Sequence, residues 1–431
     1  MLSHGGYVHS SYVYTDEVLE NIDSYDFTSS YPYCLVTHKF PMTKFVKGNL
    51  KDVNNMLYSF AWLLKVKLTN VDCKYRNNFI SKSKCEYIVG GKYDNGRIMS
   101  AKELVITLTD VDLRLYKLCY KFDCEILESY YSMYDYLPKE LIEFILDKYV
   151  SKTMLKGVEG KEIEYQKEKN KFNSIYGMCV TNTIRDEVSF KNGEWFETEI
   201  TNDEIIKKLK DEESKGFLSF AWGVWCTAYA RNNLIKNIIK QDDFLVYSDT
   251  DSMKLLEGYD KDAIDEYNSF VERKIDIVSK RLKISRDAFA PLGRTLGVFD
   301  YDDHYDEFIT QGAKKYAYKK NGKIGITVAG VPKKGSMGLK DLNDFRDNFV
   351  FEHKITGKNT ICYLDNQDEF LLEDYQGVKY LVTDKSGICV LPTTYILGKA
   401  LEYVDLLTDA SSERARYKEW KNLQKIDIER Q

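Results

Sequence analysis

The chain has 431 residues, 43% of them hydrophobic and 30% charged, so it can bury a large core and is neither fibrous nor disordered. Its formal net charge of −5 argues mildly against a nucleic-acid partner. The nine cysteines form no C-x-x-C pair, which favours a reducing compartment and argues against a zinc site or a disulfide framework.

No targeting segment is evident at the start of the chain. The first residues lack the apolar core of a signal peptide. The most apolar stretch, residues 217–230, is shorter than the roughly 20 residues that span a bilayer. We therefore expect a cytoplasmic protein with no membrane partner.

After the glycine pair Gly5 and Gly6, the chain has a predicted strand that ends in an acidic residue and a polar turn. Residues 21–26 are typical of a strand that ends near Asp26 and runs into a polar turn closed by Pro32. A lone Asp at a strand end is usually a turn former or a helix cap. The backbone N–H groups of residues 28–31 could equally surround phosphate oxygens.

Residues 50–150 form a long insertion of mixed type. A strand is expected over 105–108, helices over 110–120 and 139–149, and a hairpin turn over 92–97. No chemistry is expected here beyond structural roles.

A helix is predicted over residues 161–178. Spacings of four and then three place Lys169, Asn173 and Tyr176 on one face. A cation, an amide and a ring on one stripe suit a nucleotide, but an amphipathic helix with a core Tyr and an exposed Lys fits equally well.

Two carboxylates lie at the tip of a predicted hairpin in residues 244–254. A second hairpin (188–198), a charged helix (203–214) and a buried helix (217–239) precede it. On a strand Asp249 and Asp251 would point the same way and repel each other unless a proton or a cation lies between them. Mg²⁺ is the usual cation beside a phosphate-bearing substrate. The alternative is a solvated Asp-rich turn.

The last third of the chain is divided by charge. A helix is expected over 259–283, followed by acids between residues 300 and 307 and by eight lysines without an acid over 311–340. Such a lysine segment provides a local field for polyphosphate, or it is a solvated loop. Lys314, Tyr316 and Tyr318 are expected on one face of a strand. Short strands at 379–382 and 388–391 and a charged helix from about residue 411 complete the chain.

Four motifs taken together resemble the family B DNA polymerases. They are D-x-x-S-x-Y-P at 26–32, K-x-x-x-N-S-x-Y-G at 169–177, Y-x-D-T-D-S at 247–252 and K-x-Y at 314–316. Their order and spacing are most similar to the protein-primed polymerases of bacteriophages, in which a Gly-Gly like Gly5-Gly6 links two halves. Ser3 replaces the frequent Tyr before that pair, and Ser30 replaces a common Leu.

The resemblance implies an α+β fold, a right hand of palm, fingers and thumb. The expected divisions are palm with the catalytic strand (1–49), an insertion that includes a possible terminal-protein region (50–155), the fingers helix and a second insertion (156–216), palm with the hairpin (217–310), and thumb with the C-terminal region (311–431).

The resemblance also implies the roles of individual residues. Asp26, Asp249 and Asp251 would be catalytic and hold two Mg²⁺ ions, with Mn²⁺ as the alternative. The incoming dNTP would be bound by Tyr31, Lys169, Asn173 and Tyr176, with the Tyr31 ring excluding a 2′-hydroxyl. The DNA would be contacted by Lys314, Tyr316, Gly5 and Gly6.

The implied partners are primer-template DNA and dNTPs, with a terminal protein and a separate exonuclease subunit as further candidates. Because only 25 residues precede Asp26, we expect an exonuclease-free polymerase module, active in phage genome replication in the host cytoplasm. One alternative is a catalytically silent polymerase-like protein that binds DNA or a partner. Another is a polymerase that uses or makes RNA, for which a smaller residue than Tyr31 is expected.

Overall fold

The structure is a computed structural model. It describes residues 4–49, 53, 57–181, 187–191, 194–215, 218–352, 358–363, 370–373, 379–382, 388–412, 414–416 and 419.

The helices and strands of these residues are as follows. The strands are β1 (Val8–Ser10), β2 (Leu19–Phe27), β3 (Lys39–Pro41), β4 (Val46–Lys47), β5 (Phe60–Cys73), β6 (Cys85–Val89), β7 (Lys92–Asp94), β8 (Arg97–Thr109), β9 (Tyr120–Tyr136), β10 (Glu187–Lys191), β11 (Glu194–Thr198), β12 (Leu245–Asp249), β13 (Ser252–Leu256), β14 (Phe299–Gly312), β15 (Lys315–Lys320), β16 (Lys323–Val328), β17 (Val350–Phe351), β18 (Lys358–Tyr363), β19 (Phe370–Glu373), β20 (Lys379–Val382), β21 (Ile388–Thr393) and β22 (Tyr395–Ile396). The helices are α1 (Ser30–Thr37), α2 (Asp110–Cys119), α3 (Lys139–Leu155), α4 (Glu162–Cys179), α5 (Asn202–Lys215), α6 (Phe220–Ile238), α7 (Lys261–Leu282) and α8 (Leu401–Asp409).

An antiparallel sheet of seven strands carries the acidic residues. Its strand order is β1-β12-β13-β2-β14-β15-β16, so the hairpin β12–β13 lies directly beside β2. Apolar residues of β12 and β13, among them Leu245, Met253 and Leu255, are fully buried in the core together with Leu234 and Ile238 of α6. Burial of this sheet fixes its register, because a slip by one residue would turn every apolar side chain outward.

A second sheet is built from the insertion before the fingers helix. Strands β5, β8 and β9 are its long members, in the order β3-β9-β5-β8-β6, with β4 paired to β9 and β7 to β8. The strand expected at 105–108 is therefore the end of a much longer one. The expected helix at 110–120 is confirmed as α2, and its first turn is capped by the Thr109 hydroxyl, which accepts from the Asp112 N–H.

Several other expected elements are confirmed with shifted ends. Helices α4, α5, α6 and α7 lie where the periodicity predicts them, and α3 continues the helix expected at 139–149 to Leu155. The hairpins β10–β11 and β12–β13 are present. The expected C-terminal helix lies largely outside the described residues.

The expected turn after Asp26 is wrong in one respect. Pro32 does not close a turn but lies in the first turn of α1, which begins at Ser30. Proline fits there because the first N–H groups of a helix have no partner within it. Ser29 precedes the helix with a left-handed backbone at φ 61°.

Within the described residues, no helix is long and apolar enough to cross a membrane.

Candidate active site

Four polar side chains lie in one row across the seven-stranded sheet. Asp249 pairs with Ser252, Ser252 with Asp26, and Asp26 with Asp300, on the successive strands β12, β13, β2 and β14. Directly opposed residues project from the same face, and neighbouring strands lie about 4.8 Å apart. Asp26 and Asp249 are therefore separated by two strand spacings on one face of the sheet.

Asp251 lies beyond this row, in the turn of the hairpin, and not on a strand. It belongs to the two-residue turn between Asp249 and Ser252, and its carbonyl accepts a 2.8 Å hydrogen bond from the Phe27 N–H. The expectation that Asp249 and Asp251 project alike from one strand is therefore wrong. The turn instead brings Asp251 toward Asp26.

Asp26 and Asp251 form an electrostatically strained pair. Burial and then repulsion from Asp251 raise the pKa of Asp26. Burial and then repulsion from Asp249 raise the pKa of Asp251. Two partly desolvated carboxylates in this state gain most from a cation placed between them.

Lys254 is a buried cation beside this pair. Its side chain is 5% exposed, and its ammonium donates to the Ser24 hydroxyl at 2.7 Å. Burial lowers the pKa of Lys254, while Asp26 and Asp302 oppose that shift. Lys254 lies in the second strand of the hairpin, where alternation places it on the face of Ser252, but its approach to Asp26 depends on the pairing with β2.

Lys314 contacts an acid of the hairpin. Its ammonium lies 2.5 Å from each carboxylate oxygen of Asp249. The backbone N–H of Lys314 donates to the Tyr247 hydroxyl at 3.0 Å. Lys314 occupies the turn between β14 and β15 with φ 60°, so the expectation that it lies on a strand with Tyr316 is wrong. The Tyr316 ring lies near the Tyr318 ring, and its centroid is 4.9 Å from the centroid of the Tyr247 ring.

The glycine pair supports the hairpin turn. Gly5 has φ +63°, and a Cβ at Gly6 would lie 2.9 Å from Cγ2 of Thr250, in the turn itself. Thr250, at φ 60°, donates its N–H to the Tyr7 carbonyl at 2.6 Å. The space that Gly6 leaves lets the N-terminal strand approach the turn. Contact of Gly5 and Gly6 with DNA stays a prediction.

Tyr31 and Tyr176 bring the first two motifs together. Their rings are stacked with centroids 4.3 Å apart and planes inclined by 29°. Tyr31 lies in the first turn of α1 and Tyr176 near the end of α4, so the contact joins the segment predicted as palm to the predicted fingers helix.

A group of cations faces the start of α1. Lys152 of α3 donates to the Ser29 hydroxyl at 3.0 Å, and its ammonium lies 4.8 Å from the Phe172 ring centre. Burial lowers the pKa of Lys152 to about 8, with further contributions from Lys156 and Lys169. Lys169 is half-buried and Asn173 is exposed on α4. Residues 139–149 were expected to have only a structural role, so Lys152 is a site residue that the sequence did not reveal.

Part of the lysine-rich segment pairs with the acidic strand before it. Lys319 contacts Glu307 at 2.8 Å and Lys320 contacts Asp303 at 2.5 Å, across the β14–β15 hairpin. An acidic run followed by a basic run is thus a pattern of cross-strand ion pairs. These two lysines are therefore engaged within the protein and not free for polyphosphate.

The donor set of Asp26 and Asp251 fits a hard divalent cation, because both supply carboxylate oxygens whose pKa is raised by burial and by a neighbouring carboxylate. In the part of the chain that the structure describes, no group of three or more acidic, histidine or cysteine side chains is close enough to hold a metal. Asp249 lies two strand spacings from Asp26, and its carboxylate is paired with Lys314. It therefore does not form a group of three with Asp26 and Asp251.

No family model matches the chain. A protein of Neurospora intermedia, "Probable DNA polymerase", is 22% identical over 367 residues, which cover 78% of this chain and 32% of that protein.

Solved structures of phi29 DNA polymerase are similar over most of the chain. The orthorhombic crystal form has a TM-score of 0.61 at 17% identity, covering 91% of this chain and 61% of its own. The complex with primer-template DNA and incoming nucleotide substrates has a TM-score of 0.62 at 16% identity, covering 92% and 61%. The chain thus spans about a third of the Neurospora protein and about three fifths of phi29 DNA polymerase. It has the right-hand polymerase fold of phi29 DNA polymerase, which confirms the predicted fold class and the resemblance to phage-like family B DNA polymerases.

Proposed function

We propose that the chain is a DNA-directed DNA polymerase that adds dNTPs to a primer 3′-hydroxyl by two-metal phosphoryl transfer. The observation that carries this proposal is the strained carboxylate pair Asp26–Asp251 at the end of the palm hairpin. The fold shared with phi29 DNA polymerase, which has been solved with primer-template DNA and incoming nucleotides, supports the same assignment.

The carboxylates Asp26 and Asp251 would hold the divalent ions, Mg²⁺ or Mn²⁺. When bound, two such ions activate the attacking 3′-hydroxyl and stabilise the leaving pyrophosphate. Asp249, in line with Asp26 on the sheet, would join them when Lys314 turns to a primer phosphate. Lys254 would balance part of the negative charge, because Ser24 holds its ammonium on the face of the sheet that carries Ser252 and Asp26.

The triphosphate would be bound by cations from two helices. Lys152 of α3 is held beside Ser29 by a hydrogen bond. Lys169 of α4 contributes to the local positive potential that lowers the pKa of Lys152. Phosphate would relieve this repulsion between like charges. Asn173 would contact the nascent base pair from the exposed face of α4.

Tyr31 and Tyr176 would form the wall against the sugar and base. The stacked rings hold each other in place, so the Tyr31 side chain is preorganised to exclude a 2′-hydroxyl. Lys314 and Tyr316 would contact the primer end. Genome replication by protein priming, with a terminal protein and a separate exonuclease subunit as partners, is part of the proposal and rests on motif order alone.

The proposal is tested by extension of a labelled DNA primer on a DNA template, in Mg²⁺ and in EDTA. Wild type is expected to extend the primer with dNTPs in Mg²⁺, and Asp26→Asn is expected to bind the same DNA without extending it. Absence of extension by the wild type with any divalent ion, together with intact DNA binding, would favour the catalytically silent alternative. Priming is tested separately, by adding labelled dATP and a candidate terminal protein and measuring a covalent protein–dAMP product.

A further inference from the structure

A cavity of about 580 Å³ lies between α2, α6, α7 and the end of α1. Its size is within the range of about 300–1,000 Å³ that small-molecule sites occupy. It shares no lining residue with the carboxylates, cations and rings of the proposed active site. Nothing in the polymerase reaction described above uses it.

The cavity is lined by an excess of cations. Five of its lining side chains are basic, namely Arg114, Lys236, Lys240, Arg273 and Lys274, whereas the acid among its described lining residues is Glu266. Glu266 is already paired with Lys240 at 2.5 Å, and Arg114 with Asp110 at 2.7 Å. Across the described residues, no acid forms an ion pair with Lys236 or Lys274.

The ammonium group of Lys274 contacts a histidine and lies near two aromatic rings. Its ammonium nitrogen lies 2.5 Å from Nε2 of His38 and about 6 Å from the ring centres of Tyr33 and Phe270. Burial lowers the pKa of Lys274 to about 7. Burial and then Arg114 lower the pKa of Lys236. In the absence of an anion, Lys236 therefore repels both Lys274 and Arg114.

Planar side chains line the same cavity. The Tyr229 ring stacks on His38 with centroids 4.1 Å apart, and Phe270 is 46% exposed at the rim. The amides of Asn232 and Asn237 add hydrogen-bonding groups. A cluster of cations beside exposed aromatic and amide groups is chemically suited to a phosphate attached to a planar base.

The surroundings favour a small ligand over a polymer. The cavity volume of about 580 Å³ is that of a site for one small molecule. Outside the cavity the exposed side chains of α7 are of both signs, with Asp262 and Asp265 as well as Lys261 and Lys280, so this helix offers no continuous basic track for a nucleic-acid strand.

We propose that this cavity binds a nucleoside phosphate, with the phosphate between Lys236, Lys274 and Arg114 and the base against Phe270 and Tyr229. The site is separate from the proposed polymerase centre and does not depend on that assignment.

Binding of adenosine 5′-monophosphate to the full chain in EDTA, measured by calorimetry, tests the proposal. Saturable binding is expected for the monophosphate and binding at least about tenfold weaker for adenosine, since a charge-assisted hydrogen bond contributes about 1.5–3 kcal/mol. In the double variant Lys236→Gln/Lys274→Gln the dissociation constant for the monophosphate should rise by about tenfold or more. Lys280→Gln is the matched control: it removes a charge from the exposed side of α7 outside the cavity and should bind as wild type does.

Two further arms separate the alternatives. Asp251→Ala should retain monophosphate binding, so a failed polymerase assignment would leave this result intact, and the double variant should still extend primers. Equal binding of adenosine, unchanged binding in the double variant, or preference for a 5′-phosphorylated oligonucleotide or an acidic peptide over the monophosphate would each overturn the proposal.

A measurement without mutation guards against misfolded variants. Acetylation modifies the free-amine form of a lysine, and burial lowers the pKa of Lys274 and so favours that form. Adenosine 5′-monophosphate should slow acetylation of Lys236 and Lys274, followed by mass spectrometry, and leave Lys280 unchanged. Acetylation of the three lysines at rates unaffected by the monophosphate would contradict a site here.

Discussion

The ring of Tyr31 lies 4.3 Å from the ring of Tyr176, centroid to centroid. Tyr31 lies in the first turn of α1, directly after β2, and Tyr176 lies near the end of α4. The two residues are 145 positions apart in the chain. This contact joins two motifs that resemble the nucleotide-binding motifs of family B polymerases. It also makes the orientation of each ring depend on the other.

Shortening Tyr31 should relax sugar discrimination. Tyr31→Val is expected to raise the kcat/KM for ribonucleotides relative to deoxyribonucleotides by about tenfold or more, because the cavity that it opens admits a 2′-hydroxyl. Steady-state incorporation of single dNTPs and rNTPs measures the ratio. Tyr31→Phe keeps the ring and is the control, and an unchanged ratio in Tyr31→Val would refute a steric role.

Removing the partner ring should have a smaller effect. Tyr176→Ala deletes a stacking contact of about 0.5–1.5 kcal/mol, so a rise in KM for dNTPs of about 2- to 12-fold is expected. Tyr176→Phe should be close to wild type because the hydroxyl is not needed for stacking. A Tyr176→Ala variant with unaltered KM would show that the contact does not position the nucleotide.

Lys152 should contribute to binding of the triphosphate. Lys152→Ala is expected to raise the KM for dNTPs by about 10- to 100-fold, since a hydrogen bond to a charged group contributes about 1.5–3 kcal/mol. Lys148→Ala, on the same helix and paired with Asp147 and Glu168, is the matched control. Equal KM values in the two variants would remove Lys152 from the site.

The strained acid pair predicts a dependence of stability on pH. Burial and repulsion from Asp251 raise the folded-state pKa of Asp26 above its unfolded value. The contribution of Asp26 to stability is therefore present at low pH and is lost as the pH rises through the raised pKa. Asp26→Asn should unfold at a temperature about 2–4 °C above wild type near pH 8 without divalent ions, and near pH 5 the difference should shrink.

A matched control and added metal complete that experiment. Glu257→Gln removes one charge from an exposed position beside the hairpin and should leave the unfolding temperature unchanged. Mg²⁺ should stabilise wild type and not Asp26→Asn, because an ion that binds the folded state alone raises its stability. An Asp26→Asn variant that is less stable than wild type near pH 8 would contradict the electrostatic account.

The sequence predicted the fold class and most helices, but the site only in part. Periodicity located α4 and α7 because their apolar residues repeat at helical spacing. It missed most of β5 and β9, whose alternating residues include many charged side chains on an exposed face. Local patterns also could not show that Thr250 and Lys314 adopt left-handed backbones, which moves Asp251 and Lys314 off the strands.

Contacts between distant segments were beyond the reach of local patterns. Lys152 belongs to a helix with no motif, and its approach to Ser29 depends on the packing of α3 against α1. Lys254 lies two residues after the acidic motif, but only the register against β2 shows that it points to Ser24.

The central claim is that Asp251 is part of a nucleotidyl-transfer centre. Single-turnover incorporation of one dNTP into a primer-template in Mg²⁺, compared among wild type, Asp251→Ala and Glu257→Gln, tests it most directly. The account predicts a loss of about a thousandfold or more in Asp251→Ala with DNA binding retained, and wild-type rates in Glu257→Gln. Incorporation by Asp251→Ala at the wild-type rate would contradict the account.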